Sequence, residues 1–274
     1  MISVVIPLRD EEEFIIPCLE AFTRQSWPGE FELIVVDNGS RDGSVACIES
    51  FRRAHPRLSL RLLQEAQPGA AAASQTGFRA ARYPLIARTD ADTLVDRDWL
   101  AAIAAGFADP QVIALCGRVG FHQPTRLQRL LHVERLIEFH QRLHIGLRRP
   151  HFWGFNFAVR REKFWSIDGF NTRLRLGEDL DLALRLQGAC RRGERIRYAP
   201  GMRVYSSSRR YHWGPDWRQY TIEGYRAYFN LAWLGRQPGW MYAQDERSVS
   251  HLRRTSALEE DLDHRAGRRH AGSD

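Results

Sequence analysis

The chain opens with short apolar runs that alternate with segments of helical spacing, and this alternation restricts the fold more than any other feature. Nearly all-apolar strands are predicted over residues 2–8, 31–36, 58–63, 84–88 and 112–116. Helices are predicted between them, over residues 11–25, 44–54, 69–82 and 96–107. Repeated strand–helix units with apolar strands are typical of a mostly parallel sheet that is covered by helices. The sequence therefore predicts an α/β fold.

The pattern of predicted elements and the composition change after Phe121. A long helix is predicted over residues 125–149, a strand over 153–159 and a helix from Gly177 to Leu186. Aromatic residues and Arg dominate from residue 205 onward, and residues 250–274 form a polar tail that we expect to be poorly ordered.

Composition excludes several classes of protein. The 274 residues are 43% hydrophobic, which is enough to build a sizeable core. The four cysteines include no CxxC pair, so a disulfide framework and a zinc cluster are both disfavoured and a reducing compartment is expected. The net charge is +7, but the basic residues are interleaved with acids, which argues against nucleic acid and leaves an anionic ligand or a membrane surface open. No secretion signal and no membrane-spanning run is recognised, so we expect a cytoplasmic protein.

Polar clusters follow three of the predicted strands, at residues 7–11, 37–40 and 89–92. Ligands of open α/β sheets bind beyond the carboxyl ends of the strands, where these clusters would lie. Each cluster alone could be a helix cap or a tight turn. Their combination favours a binding site.

The chemistry of these clusters is not that of a dinucleotide or P-loop site, because neither a GxGxxG nor a Walker loop is present. Asp90 and Asp92 alternate along an extended segment, so their carboxylates point the same way. Two such hard oxygen donors suit Mg²⁺ or Mn²⁺ that bridges a diphosphate.

Six motifs in order carry a resemblance to a known family: VVIPLRDEEE, VVDNGSRDGS, PGAAAASQTGFRAA, RTDADT, GFNFAVRREKF and GFNTRLRLGEDLDLALRL. The segment 2–186 resembles an inverting family 2 glycosyltransferase of the GT-A fold. The resemblance implies a Rossmann-like, mostly parallel sheet flanked by helices, with a C-terminal helical and aromatic appendage. It also implies a nucleotide-sugar-binding half over 1–121, an acceptor-side half over 122–205, an appendage over 206–249 and a tail over 250–274.

The resemblance also assigns roles to individual residues. It implies that Asp90 faces the ribose or the metal, that Asp92 ligates a divalent cation (Mg²⁺ or Mn²⁺), and that Asp179 of the Glu178-Asp179 pair is the catalytic base. Further donor contacts are implied for Pro7, Arg9, Glu11, Asp37 and Asn38, which would hold the base and ribose, and for Arg209 and Arg210, which would clamp the diphosphate.

Two departures from the family pattern lie on the nucleotide side of the site. Asp37-Asn38 replaces the usual Asp-Asp, and Ser74-Gln75 replaces the usual Arg-Asn. A side-chain amide reads a base edge differently from a carboxylate, so UDP, GDP and dTDP all stay open as the nucleotide.

Chemistry gives Asp179 a role that does not depend on the resemblance. Attack by an acceptor hydroxyl on an anomeric carbon needs a carboxylate that takes the proton. The alternative is that Glu178 and Asp179 cap a helix start and interact with its dipole. Asp181 is the spare carboxylate most easily mistaken for the base.

Other features have more than one interpretation. His140 and His144 share a helix face, but no third zinc ligand is in register, so they are expected on a polar face or in an acceptor groove. Trp153, Phe155 and Phe157 are expected in the core or in a pocket wall, where one of them could stack on a sugar.

The aromatic and basic segment 205–242 suits the boundary of a membrane. It predicts peripheral association with the inner face of a membrane and a lipid or lipid-linked acceptor, with a cell-envelope polysaccharide as another acceptor. The same aromatics could equally pack an appendage onto the catalytic domain. A sugar-nucleotide nucleotidyltransferase and a catalytically inactive nucleotide-sugar-binding protein stay open as alternative functions.

Overall fold

The computed structural model describes residues 1–122, 133–207, 222–236 and 241. Within them, eight strands form one sheet in the order β3-β2-β1-β4-β7-β6-β8-β5. The strands are β1 (Ile2–Leu8), β2 (Phe31–Asp37), β3 (Leu60–Gln64), β4 (Leu85–Arg88), β5 (Thr93–Val95), β6 (Val112–Phe121), β7 (Phe157–Arg160) and β8 (Arg195–Ser206). The α/β sheet predicted from the sequence is thus confirmed.

The sheet has a parallel half and a mixed half. Strands β1 to β4 are all parallel, so the loops after β1, β2 and β4 lie at one edge. The short strand β7 runs antiparallel between β4 and β6, β8 is parallel to β6, and β5 is antiparallel to β8. The expected boundary at residue 121 therefore falls at the end of a strand inside one continuous sheet.

Helices cover both faces of the sheet. They are α1 (Ile15–Thr23), α2 (Ser44–Ala54), α3 (Ala70–Ala80), α4 (Trp99–Gly106), α5 (Val133–Gly146), α6 (Arg161–Trp165), α7 (Glu178–Gly188) and α8 (Gly224–Leu234). Alternate residues of β1 enter two cores: Ile2, Val4 and Ile6 pack with α1, α2 and α4, while Val5 packs with α3, α6 and α7. This is why the strands of the parallel half are apolar at nearly every position.

Several boundaries differ from those predicted. Helix α1 begins at Ile15 and not at residue 11, because Phe14 N–H and Ile15 N–H both donate to the carbonyl of Glu11 in a separate turn. The strand expected over 153–159 is instead β7 (Phe157–Arg160), preceded by a turn in which Asn156 N–H donates to Trp153 O at 2.8 Å. The long helix expected over 125–149 is described as α5, and residues 123–132 and the tail 250–274 lie outside the described residues.

Candidate active site

The loop between β4 and β5 carries Asp90 and Asp92 at the carboxyl edge of the sheet. Thr93 N–H donates to the carbonyl of Asp90 at 3.1 Å, which closes a tight turn. The carboxylate of Asp92 is buried and accepts a hydrogen bond from Thr93 Oγ1 at 3.3 Å. The pair therefore has a fixed backbone and lies where ligands of α/β sheets bind.

Three carboxylates converge on the buried thiol of Cys18 in α1. Burial raises the pKa of Cys18, and the charges of Asp92, Asp90 and Glu11 raise it further. Cys18 Sγ also lies 3.6 Å from the carbonyl oxygen of Asp90. The thiol is therefore no nucleophile, and its surroundings place Glu11 beside the Asp90–Asp92 loop.

The guanidinium of Arg88 lies at the centre of the site, although the sequence analysis assigned it no role. Arg88 is the last residue of β4 and is only 3% exposed. Its Nη2 lies 3.4 Å from Asp90 Oδ1, and its Nη1 lies 3.3 Å from Glu178 Oε1. Burial acts to lower the pKa of Arg88, but Asp90, Glu178 and Asp179 together raise it. One buried cation thus joins the loop of Asp90 to the start of α7.

Asp179 is the second residue of α7, which begins directly after the left-handed residue Gly177. Its Oδ1 accepts the N–H of Leu180 at 2.8 Å. Gly154 approaches from the other side: a Cβ at Gly154 would lie 3.2 Å from Asp179 Oδ2 and 3.1 Å from Arg88 Nη2. Any residue with a side chain at position 154 would crowd both charged groups.

The environment of Asp179 makes its carboxyl group unusually basic. Its pKa is raised to about 7, mainly by burial and then by the neighbouring carboxylate of Glu178. The charge of Arg88 and the backbone N–H groups of Leu180 and Gly154 act in the opposite direction. A carboxyl group that titrates near neutral pH is suited to accept and return a proton.

Asp181 has a different partner from Asp179. It is buried, and its Oδ2 accepts a hydrogen bond from Arg185 Nε at 2.7 Å, one helical turn further along α7. Arg185 Nη1 also donates to the carbonyl of Ile167 at 2.7 Å. This ion pair ties α7 to the loop after α6, so Asp181 serves packing at that point.

The amide of Asn38 is engaged by the protein itself. Its Nδ2 donates to the carbonyls of Glu65 and Gln67 at 2.9 and 2.8 Å, and its Oδ1 accepts the N–H of Gly69 at 2.7 Å. Asn38 therefore holds the loop that leads from β3 into α3. An aspartate could not make the two donated bonds, which gives the Asp37-Asn38 departure from the family pattern a structural reason.

The other residues predicted for the nucleotide side lie on the loops after β1 and β2. Asp37 Oδ1 accepts the N–H of Ser40 at 3.0 Å, and Pro7 is paired with Val36 in the sheet. Arg9 is exposed and lies 3.7 Å from Asp10, and the N–H of Glu11 donates to Ser44 Oγ at 2.9 Å. These contacts bring Pro7, Arg9, Glu11, Asp37 and Asn38 to the same edge of the sheet as Asp90, whereas Arg209 and Arg210 lie outside the described residues.

The residues of the site suit a metal ion that is held partly by substrate phosphates better than one that is held by protein ligands alone. Within the described residues no group of three or more His, Cys, Asp and Glu side chains could hold a metal ion. His140 and His144 therefore belong to no such group there. Asp90 and Asp92 instead offer two carboxylates within one short loop, and both raise the pKa of the Cys18 thiol. Mg²⁺ is typically held by one or two carboxylates together with substrate phosphates and water, so the pair fits that kind of ion.

The sheet with its covering helices is the fold that glycosyltransferases of the GT-A class share. Residues 3–168 match the family model of glycosyl transferase family 2, and the chain belongs to this family. The family and the fold that the sequence motifs indicated are thereby confirmed.

Curated relatives are glycosyltransferases from diverse organisms. Glycosyltransferase AglE of Haloferax volcanii is 34% identical over 125 residues, which are 45% of this chain and 41% of AglE. Validoxylamine A glucosyltransferase of Streptomyces hygroscopicus subsp. limoneus is 26% identical over 219 residues, which are 68% of this chain and 48% of the relative. The chain thus spans less than half the length of these two relatives.

Solved structures show the same fold. The mannosyltransferase PcManGT from Pyrobaculum calidifontis, in complex with GDP-Man and Mn²⁺, gives a TM-score of 0.60 at 27% identity and covers 75% of this chain and 56% of that one. TarS of S. aureus gives a TM-score of 0.59 at 18% identity and covers 75% of this chain and 36% of that one.

Proposed function

We propose that the chain transfers a sugar from a nucleotide-diphosphate sugar to an acceptor hydroxyl with inversion, and that Asp179 is the general base. The observation that supports the proposal is the link through Arg88, whose guanidinium lies 3.4 Å from Asp90 and 3.3 Å from Glu178, the residue before Asp179. A base and a site for the leaving diphosphate are needed on opposite sides of the anomeric carbon. Two carboxylate groups joined by one buried guanidinium support that arrangement.

The reaction is a single displacement. The acceptor oxygen attacks the anomeric carbon while its proton passes to the carboxylate of Asp179. The bond from that carbon to the diphosphate breaks, and its electron pair leaves with the diphosphate. The near-neutral pKa of Asp179 lets it take the proton at physiological pH and release it afterwards.

The donor side is assigned to residues at the carboxyl edge of the parallel strands. Asp92 and Asp90 would hold Mg²⁺ or Mn²⁺, which neutralises charge on the leaving diphosphate when it is bound. PcManGT was solved in complex with GDP-Man and Mn²⁺, and residues 1–349 of TarS were solved in complex with UDP-GlcNAc, so proteins of this fold bind nucleotide sugars. Base and ribose contacts are proposed for Pro7, Arg9, Glu11, Asp37 and Asn38, and diphosphate contacts for Arg209 and Arg210.

The acceptor side is proposed to receive a lipid or lipid-linked hydroxyl, with a cell-envelope polysaccharide as the other candidate. We place the protein in the cytoplasm, peripherally on the inner face of the membrane. None of the helices described in residues 1–122, 133–207 and 222–236 is long and apolar enough to cross a bilayer. Support for a surface association comes from exposed apolar side chains on α5 and α8, which are treated below.

The test first identifies the nucleotide sugar that binds and then determines the anomeric configuration of the product. A thermal-shift panel of UDP-, GDP- and dTDP-sugars with Mn²⁺ should raise the melting temperature for one nucleotide, because a ligand of the folded state stabilises it by mass action. Transfer from that donor to an acceptor should invert the anomeric configuration, as read by NMR of the product. Retention would exclude single displacement.

Turnover assays beside the thermal-shift panel separate the alternatives. A nucleotidyltransferase would release pyrophosphate from a nucleoside triphosphate and a sugar phosphate. An inactive binding protein would show the thermal shift without even slow hydrolysis of the donor.

A further inference from the structure

Two helices outside the catalytic site expose large apolar side chains in stripes. Both stripes have spacings of three, four and four residues, which places their members on one side of a helix. The stripe of α5 and the turn after it consists of Leu136, Phe139, Leu143 and Leu147, each between 45 and 66% exposed. The stripe of α8 and the turn before it consists of Ile222, Tyr225, Phe229 and Trp233, each between 43 and 66% exposed.

The stripes are not the faces by which these helices pack on the protein. Helix α8 buries its opposite side, where Ala227 and Leu231 pack with Leu174, Leu180 and Met241. Helix α5 buries Gln141 and His144. The alternative that these residues pack an appendage onto the catalytic domain therefore explains the buried sides of the helices. It does not explain the exposed stripes.

A cluster of rings, of which Tyr228 and His144 are buried and His140 and His151 are half-buried, forms the joint between the two helices. Tyr228 Oη lies 3.1 Å from His144 Nε2, and the ring of Tyr228 stacks on that of His151 with a centroid distance of 5.0 Å. His140 lies 4.1 Å from His144, ring to ring. Burial lowers the pKa of His140 to about 4 and of His151 to about 3, so the rings are neutral at physiological pH. The two stripes thus border one rigid joint.

Positive charge lines the edges of both stripes. Arg135 and Arg142 precede stripe residues by one position on α5, and Arg226 follows Tyr225 on α8, so each lies along an edge. Arg149 lies over the ring of Trp233 at 4.7 Å. Basic residues beside an apolar face match a surface that has an apolar interior and anionic headgroups.

The acidic residues near these edges have basic partners. Glu138 lies 3.6 Å from Arg118 and 3.5 Å from Arg142. Glu223, at the start of α8, lies 3.6 Å from Arg175. Arg118 and Arg175, which lie outside the two helices, therefore offset the charges of these acids. Arg135, Arg149 and Arg226 add positive charge beside the stripes.

The joint also connects the stripes to the candidate base. His151 stacks on Trp153 at 5.3 Å as well as on Tyr228. Trp153 precedes Gly154, whose backbone lies against Asp179. A short series of direct contacts therefore runs from the exposed helices to the carboxyl group proposed to receive the acceptor proton.

From these observations we propose that the stripes of α5 and α8 form a two-helix docking face that binds an anionic lipid bilayer. Aromatic and aliphatic side chains enter the headgroup boundary, and the flanking arginines bind lipid phosphates. Binding to the bilayer follows from the described surface alone. Delivery of a lipid-borne acceptor to Asp179 is a consequence that rests on the function proposed above.

The test is flotation of the full chain with phosphatidylcholine vesicles, with and without phosphatidylglycerol, and without nucleotide sugar. The wild type should float with anionic vesicles and be partly released by high salt, because part of the attraction is electrostatic. Phe139→Glu/Phe229→Glu puts two charges into the docking face and should weaken vesicle binding by at least about tenfold. The matched control is Ala46→Glu/Ala54→Glu, which adds the same charge at two exposed positions of α2 and should float like the wild type.

Each outcome decides one question. Equal flotation of the two double variants, or no flotation of the wild type, overturns the proposal. A wild-type dimer that Phe139→Glu/Phe229→Glu dissociates, with no vesicle binding, would assign the face to a second copy of the chain. Donor hydrolysis by Phe139→Glu/Phe229→Glu should equal that of the wild type. Vesicle binding by a protein that transfers no sugar would leave the docking face standing and remove the proposed function.

Discussion

The guanidinium of Arg88 lies 3.3 Å from the carboxylate of Glu178, although 90 positions of sequence separate the two residues. The contact connects the end of β4 to the first turn of α7. Because Arg88 also lies 3.4 Å from Asp90, the proposed metal loop and the proposed base share one buried cation. The relative position of the two carboxylate groups therefore depends on Arg88.

Replacing Arg88 with methionine should destabilise the fold and raise the pKa of Asp179. The change leaves Asp90, Glu178 and Asp179 without their shared cation, and loss of one partner of a buried ion pair costs on the order of 3–5 kcal/mol. Urea unfolding measures the stability. Arg88→Lys is the control, since it keeps the charge but lacks the two guanidinium nitrogens that reach Asp90 and Glu178. Its unfolding free energy should lie between those of the wild type and Arg88→Met. An unfolding free energy equal to the wild type in Arg88→Met would contradict the role of Arg88.

Asp179→Asn should lower transfer by roughly 10²–10⁴-fold, which is the usual loss when a general base is removed. Donor binding should survive, because the amide keeps the shape of the side chain. The matched variant is Asp181→Asn on the same helix, which weakens the ion pair with Arg185 and should reduce stability more than transfer. Steady-state rates and melting temperatures of both variants check this. If Asp181→Asn were the variant that lost transfer, the base would have been assigned to the wrong carboxylate.

The pH dependence of transfer should show the raised pKa of Asp179. Below about pH 7 the group is protonated and cannot act as a base, so kcat/KM should rise with pH through that region. Stability should change in the opposite sense, because a carboxyl pKa raised by folding stabilises the native state at low pH and that contribution is lost as pH rises through 7. Glu178→Gln removes the neighbouring charge and should move the rising limb to lower pH. A limb that stays in place in Glu178→Gln would show that Asp179 does not control the rate.

Asn38→Asp restores the family's usual pair of acids and should destabilise this chain. The carboxylate would face the carbonyls of Glu65 and Gln67 with no hydrogen to donate, at a cost of about 1–3 kcal/mol. Urea unfolding tests this. Asn38→Ala is the comparison, because it loses the two donated bonds, and the bond from Gly69 N–H as well, without placing a charge opposite the carbonyls. If the charge dominates, Asn38→Ala should be the less destabilised of the two variants. A stable Asn38→Asp protein would show that the loop before α3 can rearrange.

The parallel half of the fold could be predicted because its information is local. Strands β1 to β4 are apolar runs and helices α1 to α4 repeat apolar residues at helical spacing. Strand β5 was missed because it has three residues, and β8 because charged and polar residues interrupt it and Pro200-Gly201 lies inside it. Pairing with neighbours makes those segments strands, and a single segment does not contain that information.

The candidate site likewise has residues that local motifs mark and contacts that only the tertiary structure shows. Asp90, Asp92 and Asp179 were identified from motifs, and their roles remain predictions. The part played by Arg88 is a tertiary contact between β4 and α7, so no local pattern marked it, although an arginine that ends an apolar strand next to an acidic loop was a signal. The bonds of Asn38 to the loop after β3 are equally non-local.

Asp92→Ala should abolish metal-dependent transfer while leaving the fold intact. Asp92 lies in the loop after β4, and the Arg88 link runs through Asp90 and Glu178, so loss of the Asp92 carboxylate leaves that link in place. Asp90→Ala should impair transfer less, but it should lower stability more, because it removes one partner of Arg88. Glu13→Ala, which removes an exposed carboxylate from the loop after β1, is the control and should match the wild type. The measurements are turnover over a range of Mn²⁺ concentrations and the thermal shift with donor. Full turnover by Asp92→Ala, or by the wild type in excess chelator, would contradict the metal assignment.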